Sequence, residues 1–245
     1  MFDVEASAET FRSVFSVLTP IAGEVKLKAD AEGWKIRAVD PAHVAMVDLE
    51  LSRGAFDKYE IEPLELGLNV ERLLESMKSA RGEEMVRMFL DDDNRLVISM
   101  DNLTLKIPLV DPSGFSEPKV PSLQLPVKLR LNSAELQKGL KISASISDYL
   151  TFNCEEDKLV MTSSEDLSSM TLELKKDKEY QLESYDKPSK SSFSLDYFTH
   201  LMKGVGANRD LEIHLGNSYP LKMVFDFADE NGHAVYLLAP RIESS

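Results

Sequence analysis

The sequence predicts an α+β fold built twice over: two similar domains of antiparallel sheet that carry helices on one face. Three observations lead there. Short stretches of alternating apolar and polar residues outnumber helical ones, only four stretches have helical spacing, and the first half of the chain is echoed in the second. With 245 residues, 43% of them hydrophobic, the chain can bury a substantial core without staples.

The first helical stretch follows Ser7-Ala8-Glu9 and places Phe11, Val14, Phe15 and Leu18 on one face. The second follows Asn69-Val70-Glu71 with Leu73, Leu74 and Met77, and the third follows Ser133-Ala134-Glu135 with Leu136 and Leu140. The fourth follows Ser194-Leu195-Asp196 with Phe198, Leu201 and Met202. In each, Ser or Asn is expected to cap the helix, and the acid sits in the first turn against the helix dipole. These acids, at 9, 71, 135 and 196, lie 62, 64 and 61 residues apart, so four units of similar length are expected. Ser7-Ala8-Glu9 returns 126 residues later and Met77-Lys78 returns as Met202-Lys203 after 125, which reads as a duplicated domain.

Between the helices, residues 25–29, 34–38 and 45–51 alternate as half-buried strands do, and so do 149–153, 158–162 and 170–175. Turns are expected at Ala31-Glu32-Gly33, Asp91-Asp92-Asp93-Asn94, Glu155-Glu156-Asp157 and Asp229-Glu230-Asn231-Gly232. The stretch from Asp111 to Ser122 is too rich in Pro and Ser for a regular element. The expected domains are therefore 1–110 and 126–245, joined by an extended connector over 111–125.

No motif announces an enzyme. The chain lacks a phosphate-cradling Gly-rich loop, Gly-x-Ser-x-Gly and His-x-x-x-His, and Asp40 beside His43 has no nucleophile with it. The acidic run 91–94 lacks the Gly and Glu of a calcium loop and reads as a hairpin turn. One cysteine, Cys154, and four scattered histidines supply no zinc spacing, so neither metal nor cofactor is expected. Cys154 reads as a strand side chain in a reducing compartment. The acidic start Met1-Phe2-Asp3-Val4-Glu5 does not resemble a signal peptide and no run is long enough to span a membrane, so a soluble intracellular protein with no membrane contact is expected.

Forty-two acids against 28 basic residues leave a net charge of −14, which excludes a generally basic nucleic-acid coat protein. The helical segments run the other way. Arg12, Arg72, Lys78, Arg81, Lys138, Lys141, Lys203 and Arg209 stand against Glu9, Glu71, Glu75, Glu135 and Asp196, eight cations to five acids. A basic helical face on an acidic protein points to a polyanion.

Three separated motifs then occur in order: Arg37-Ala38-Val39-Asp40-Pro41-Ala42-His43-Val44-Ala45-Met46-Val47, Leu109-Val110-Asp111-Pro112, and Tyr236-Leu237-Leu238-Ala239-Pro240-Arg241-Ile242-Glu243. Together the chain resembles, over its full length, DNA sliding clamps of the proliferating cell nuclear antigen family, in wording nearest the archaeal members. The resemblance implies a duplicated clamp fold that closes as a ring of three identical chains, with sheets outside and four helices lining a hole around duplex DNA, and no catalysis. It implies sequence-independent DNA contact through Lys78, Lys138, Lys141 and Lys203, with Arg12, Arg72, Arg81 and Arg209 as further sites. It also implies a hydrophobic pocket for client peptides of the type Gln-x-x-aliphatic-x-x-aromatic-aromatic, formed by Val39, His43, Val44, Met46, Val120, Pro121, Pro220, Leu237, Ala239, Pro240, Arg241 and Ile242. The clients implied are DNA polymerase, clamp loader, flap endonuclease and DNA ligase. Leu237 departs from the aromatic residue common in eukaryotic relatives, and Glu156 stands near the place of their regulatory lysine. Subunit pairing is implied between Leu103, Leu105 and Ile107 of one chain and Met170, Leu172 and Leu174 of the next. Two other classes stand beside this reading: a subunit of a hetero-oligomeric checkpoint-type clamp or scaffold, and an unrelated phosphate-handling enzyme.

Overall fold

Alternation builds the strands and a three-to-four-residue apolar spacing builds the helices, in two compact units. The structure, a computed structural model, describes residues 1–241. The first unit comprises Met1–Pro41, Val47–Lys119 and Asp226–Ala234; the second comprises Ala42–Met46, Val120–Phe225 and residues 235–241.

The elements before the connector are β1 (Phe2–Ser7), α1 (Ala8–Leu18), β2 (Glu24–Asp30), β3 (Gly33–Val39), β4 (Ala45–Ser52), β5 (Lys58–Ile61), β6 (Leu64–Asn69), α2 (Val70–Met77), β7 (Met85–Leu90), β8 (Leu96–Met100) and β9 (Leu103–Ile107). After it come β10 (Val127–Asn132), α3 (Ser133–Ser143), β11 (Tyr149–Cys154), β12 (Lys158–Glu165), β13 (Ser168–Lys175), β14 (Tyr180–Tyr185), β15 (Ser189–Ser194), α4 (Leu195–Val205), β16 (Asp210–Leu215), β17 (Leu221–Phe227) and β18 (Gly232–Leu238). The first series forms the hydrogen-bonded runs β5-β1-β7-β8-β9 and β4-β3-β2-β6; the second forms β14-β10-β16-β17-β18 and β13-β12-β11-β15. The two orders are the same order, strand for strand. β4 and β18 are themselves paired, with Ser52 N donating to Asn231 O at 2.8 Å and Ala239 N to Val44 O at 2.8 Å.

The expected repeat is present, with a corrected register. The caps are Ser7, Asn69, Asn132 and Ser194, spaced by 62, 63 and 62 residues, more even than the acids suggested. Asn132, not Ser133, caps α3: its side chain accepts from Ala134 N, while Ser133 is the first helical residue. Ser133 is buried, and its Oγ donates to Gly206 O and accepts from Arg209 N. Ser194 occupies the cap position of α4 without a side-chain capping bond. The domain repeat is thus 125 residues throughout, and the 126-residue match of Ser7-Ala8-Glu9 is one residue out of register. Backbone bonds confirm this: Ala8 N to Glu84 O recurs as Ser133 N to Arg209 O, and Val70 N to Gly23 O recurs as Leu195 N to Asp148 O.

In the first unit, α1 buries Phe11, Val14, Phe15 and Leu18, and α2 buries Val70, Leu73 and Met77. Trp34 centres this core, with ring centroids 6.0 Å from Phe2, 5.8 Å from Phe11 and 5.0 Å from Phe56. In the second unit, Phe152 lies 5.3 Å from Phe198 and 6.3 Å from Phe193. There α3 sits close on its sheet: a Cβ at Gly139 would fall 2.1 Å from Met161 Cε and 3.3 Å from Met170 Cε. The turns form as expected. Gly33 (φ 146) closes the β2–β3 hairpin where a Cβ would lie 2.1 Å from Leu51 O, and Asn94 (φ 57) closes the 91–94 turn. Asp91 spends its carboxylate on Arg95 N, Arg95 and Lys106, which hold its pKa far below the usual range; this is a turn that pins β9.

Asp3 is a buried carboxylate of the first unit. It stands on β1 and takes Arg87 from β7 at 2.7 and 2.6 Å and Lys58 from β5 at 2.6 Å, so one carboxylate ties three strands. Bonding to Arg87, then Lys58, outweighs burial and brings its pKa to about 2. A carboxyl whose folded pKa is depressed stabilises the fold above its unfolded value near 4, and that stability is lost as pH falls toward 2. With half-exposed cations screening the pair, Asp3→Asn should cost about 1–2 kcal/mol near neutral pH. Urea midpoints of the two proteins should draw together as pH falls from about 5 through 2; a gap that is undiminished at pH 2 would reject the assignment.

Candidate functional site

The eight cations of the helical face differ in what holds them. Arg12, on α1, is half-buried and gives its guanidinium to Glu9 and to the carbonyls of Met77 and Ala80, so it staples α1 to the end of α2. At the repeat of 125 its counterpart is Gln137, which bonds Gly206 O in the same manner. Lys78 pairs with Glu75 and Lys138 with Glu135, each one turn earlier. Arg72 is exposed on α2, and Lys141 and Lys203 are exposed on α3 and α4. Arg81 and Arg209 lie beyond the helix ends, because α2 stops at Met77 and α4 at Val205. The +3 surplus counted along the sequence therefore includes cations that are off the helices, paired, or structural.

The client-peptide set falls largely in the second unit. Val44 and Ala239 are joined by the backbone bond that pairs β4 with β18, so the 42–46 segment and the C-terminal tail lie side by side. Met46 and Leu237 are nearly buried; Val44, Pro220, Ala239 and Pro240 are half-buried; His43, Val120, Pro121 and Arg241 are exposed. His43 takes a positive φ of 56°. Val39 is half-buried in the first unit, and Ile242 lies outside the described residues. Sequence reasoning missed two neighbours. Tyr219, 55% exposed, sits in the turn before Pro220 with its N–H on Ser191 Oγ. Tyr149 stacks under the Arg241 guanidinium at 3.5 Å, while Arg241 N bonds Ser192 O and lays the tail along β15. Neither carries a motif; only the fold brings them to the tail.

The interface set divides by environment. β9 and β13 each end their run of strands. Leu103 and Leu105 are 47% and 37% exposed and stand opposite the buried Met100 and Ile98, so an apolar sheet face continues past its cover. Ile107 is buried. Met170 and Leu174 are also buried and Leu172 is half-buried, with Met170 and Leu172 beneath Gly139 of α3. What β13 leaves for pairing is its backbone edge rather than these side chains.

The connector is anchored where it leaves the first unit. Gly67 bridges Val110, and a Cβ there would lie 2.1 Å from Val110 O. Asp111 caps the short 3-10 turn Pro112–Gly114. Further along, Glu117 bonds Lys28, which lowers the pKa of Glu117 and raises that of Lys28, and it lies 3.9 Å from Arg37, itself held by Asp48. Cys154 is a buried strand residue whose thiol burial pushes up to about 11, which removes it as a nucleophile at neutral pH. Among the described residues no cluster of His, Cys, Asp or Glu has metal-holding geometry, and no helix is long and apolar enough to cross a membrane.

Two copies of one domain, each with a helix pair capped onto two antiparallel runs, define a duplicated clamp-type fold. Residues 1–107 match the family model for the proliferating cell nuclear antigen N-terminal domain, and residues 119–241 match that for its C-terminal domain. The chain is 35% identical over 246 residues to the DNA polymerase sliding clamp of Methanosarcina barkeri, covering all of both chains. It superposes with a TM-score of 0.91 and 29% identity, over 100% of each chain, on the A. fulgidus PCNA bound to the C-terminal region of FEN-1. The PCNA of Thermococcus kodakaraensis gives 0.91 at 25% identity, over 98% of this chain and 100% of that one. The chain belongs to the proliferating cell nuclear antigen family of DNA polymerase sliding clamps, which are non-catalytic scaffolds.

Glu117→Gln should free the connector from the β2–β3 face. Hydrogen exchange over residues 115–119 should quicken, and added salt should produce the same change in the unaltered protein. Exchange that is unmoved by either would leave the backbone bridge at Gly67 as the anchor.

Proposed function

We propose that this chain closes head to tail into a ring of three, encircles duplex DNA without reading its sequence, and tethers DNA polymerase and other clients by a peptide pocket. The observation that carries the ring is internal to the fold. β4 and β18 are paired, and at the repeat of 125 residues their counterparts are β13 and β9, which both stand at edges. A pairing of β13 in one copy with β9 in the next repeats a contact the chain already makes, and it also covers the apolar face at Leu103 and Leu105. Such a heterologous contact closes when its rotation divides a full turn.

The helix pairs then line the hole, with Lys78, Lys138, Lys141, Lys203, Arg72, Arg81 and Arg209 toward DNA and Arg12 serving as a staple. Phosphate contacts position a protein without pinning it to a sequence, as sliding requires. The pocket, with Val39, His43, Val44, Met46, Val120, Pro121, Pro220, Leu237, Ala239, Pro240, Arg241 and Ile242, receives clients carrying the peptide described above: polymerase, clamp loader, flap endonuclease and ligase. The bound FEN-1 segment on the A. fulgidus relative supports this. In a cell without a nucleus the ring works in the cytoplasm on chromosomal DNA.

Light scattering should give about three times the 27.5 kDa chain mass. Leu105→Asp, which puts a charge on the exposed apolar edge, should bring it to the monomer. A monomeric unaltered chain that closes only with other polypeptides would favour the hetero-oligomeric clamp instead.

A buried aromatic client side chain contributes at most ~4–6 kcal/mol at roughly 25 cal/mol per Å². Val120→Glu should therefore weaken client-peptide binding tenfold or more in calorimetry, ~1.4 kcal/mol, with the trimer mass unchanged. Equal affinity would move the pocket elsewhere.

A further inference from the structure

The repeat supplies its own control, because each residue of the second helix pair has a counterpart 125 positions earlier. Over the helices and their last cap, α1 and α2 carry Arg12, Arg72 and Lys78 against Glu9, Glu71 and Glu75, which balance. α3 and α4 carry Lys138, Lys141 and Lys203 against Glu135 and Asp196. Several exchanges change charge and partly cancel, Arg12 for Gln137 and Arg72 for Tyr197 among them; the two that bear on the unpaired lysines are Ser16, which becomes Lys141, and Glu75, which becomes His200. The second is decisive for Lys203. Its counterpart Lys78 is neutralised by Glu75, but His200 supplies no carboxylate and instead turns its Nδ1 to Asp196 O at 2.9 Å. Among the described residues, Lys141 and Lys203 have no carboxylate within ion-pair distance.

These two lysines flank one cleft between α3 and α4, about 430 Å³ in volume. Leu140, Ala144 and Met202 make an apolar floor, and Gln137 and Thr199 add polar wall. The first unit has bulkier groups at matching positions: Phe15 for Leu140, Leu74 for Thr199 and Arg81 for Gly206. A trough with an apolar floor and an ammonium on each side complements a sugar–phosphate segment, whose sugar carbons are apolar and whose phosphodiester carries one negative charge. Lysine is a hydrated point charge with no bidentate fork, so it attracts phosphate without fixing its orientation.

We propose that the clamp holds DNA unevenly: the α3–α4 cleft seats the sugar–phosphate backbone between Lys141 and Lys203, while the charge-balanced α1–α2 pair contributes the smaller share of the attraction. This rests on the sliding-clamp reading and names the part of it that binds.

The test measures duplex DNA binding across a salt series, with trimer mass checked for every variant. The double variant Lys141→Ala/Lys203→Ala should lose tenfold or more in affinity and flatten the salt slope, since log K falls by roughly 0.9 per phosphate contact per decade of salt. Arg72→Ala/Lys78→Ala should also weaken binding, but by clearly less, about threefold. His200→Glu, which installs the acid of position 75, should weaken binding as Lys203→Ala does, and Glu75→His should strengthen it. With methyl-labelled methionine, duplex DNA should shift the Met202 signal more than that of Met77, its counterpart. Equal losses from the two double variants, or equal shifts at the two methionines, would overturn the uneven contact while leaving the clamp intact. No binding or loading of DNA by the unaltered ring would instead overturn the clamp reading itself.

Discussion

Each helix pair is placed by two backbone hydrogen bonds that lie outside the helices, and the function depends on them. Ala8 N on Glu84 O fixes the start of α1 beside the start of β7, and Val70 N on Gly23 O fixes the start of α2 beside the start of β2. The first turn of a helix has donors with no intrahelical acceptor, and here the chain supplies one from the neighbouring half of the domain. The bonds are reciprocal: each half of the domain satisfies the other's first helix donor. Both helices are thereby held side by side on one face, and the arrangement recurs in the second unit through Ser133 and Leu195. Each unit has a continuous two-helix face because these donors are satisfied in pairs.

The same fourfold economy leaves edges. The nine strands before the connector and the nine after it each form two runs, and the outer strands β9 and β13 keep one side of their backbone unpaired in those runs. Their protection is uneven. β13 keeps Met170 under α3 and Leu174 buried, so it offers hydrogen bonds with little exposed apolar area, whereas β9 offers hydrogen bonds together with Leu103 and Leu105. A contact between such unlike edges is directional, and directional contacts build rings rather than two-fold dimers.

How much of this the sequence disclosed follows from which forces act locally. Strands, turns and helix faces were legible because alternation, Gly and Asn in left-handed turns and apolar spacing are properties of adjacent residues. The duplication was legible too, but its register was not. Ser133 and Glu135 imitate Ser7 and Glu9 in letters, while capping is decided by backbone geometry that only Asn132 satisfies. The cations were located and their states were not: Arg12 reads as one more basic residue until Met77 O and Ala80 O are seen against it. Tyr219, Glu117 and the Arg241–Tyr149 stack were invisible for the same reason, since each draws its meaning from a segment far along the chain.

The chain's net negative charge and the DNA binding proposed for it are reconciled by where cations lack acids. On the sheets, Lys26 and Lys28 share Glu65, Arg37 holds Asp48, and Lys128 and Arg130 share Glu183 and Glu212. On the helices, first-turn acids serve the dipole and also cancel Lys78 and Lys138. Exposed pairs of this kind add little stability, but each removes a cation from the field that DNA would experience. On the reading proposed above, attraction is left mainly to Lys141 and Lys203 beside an apolar trough, and each such contact can break and reform as a duplex moves. A ring holds its DNA by topology, so it needs attraction only for alignment, and a larger surplus of unpaired cations would act as friction.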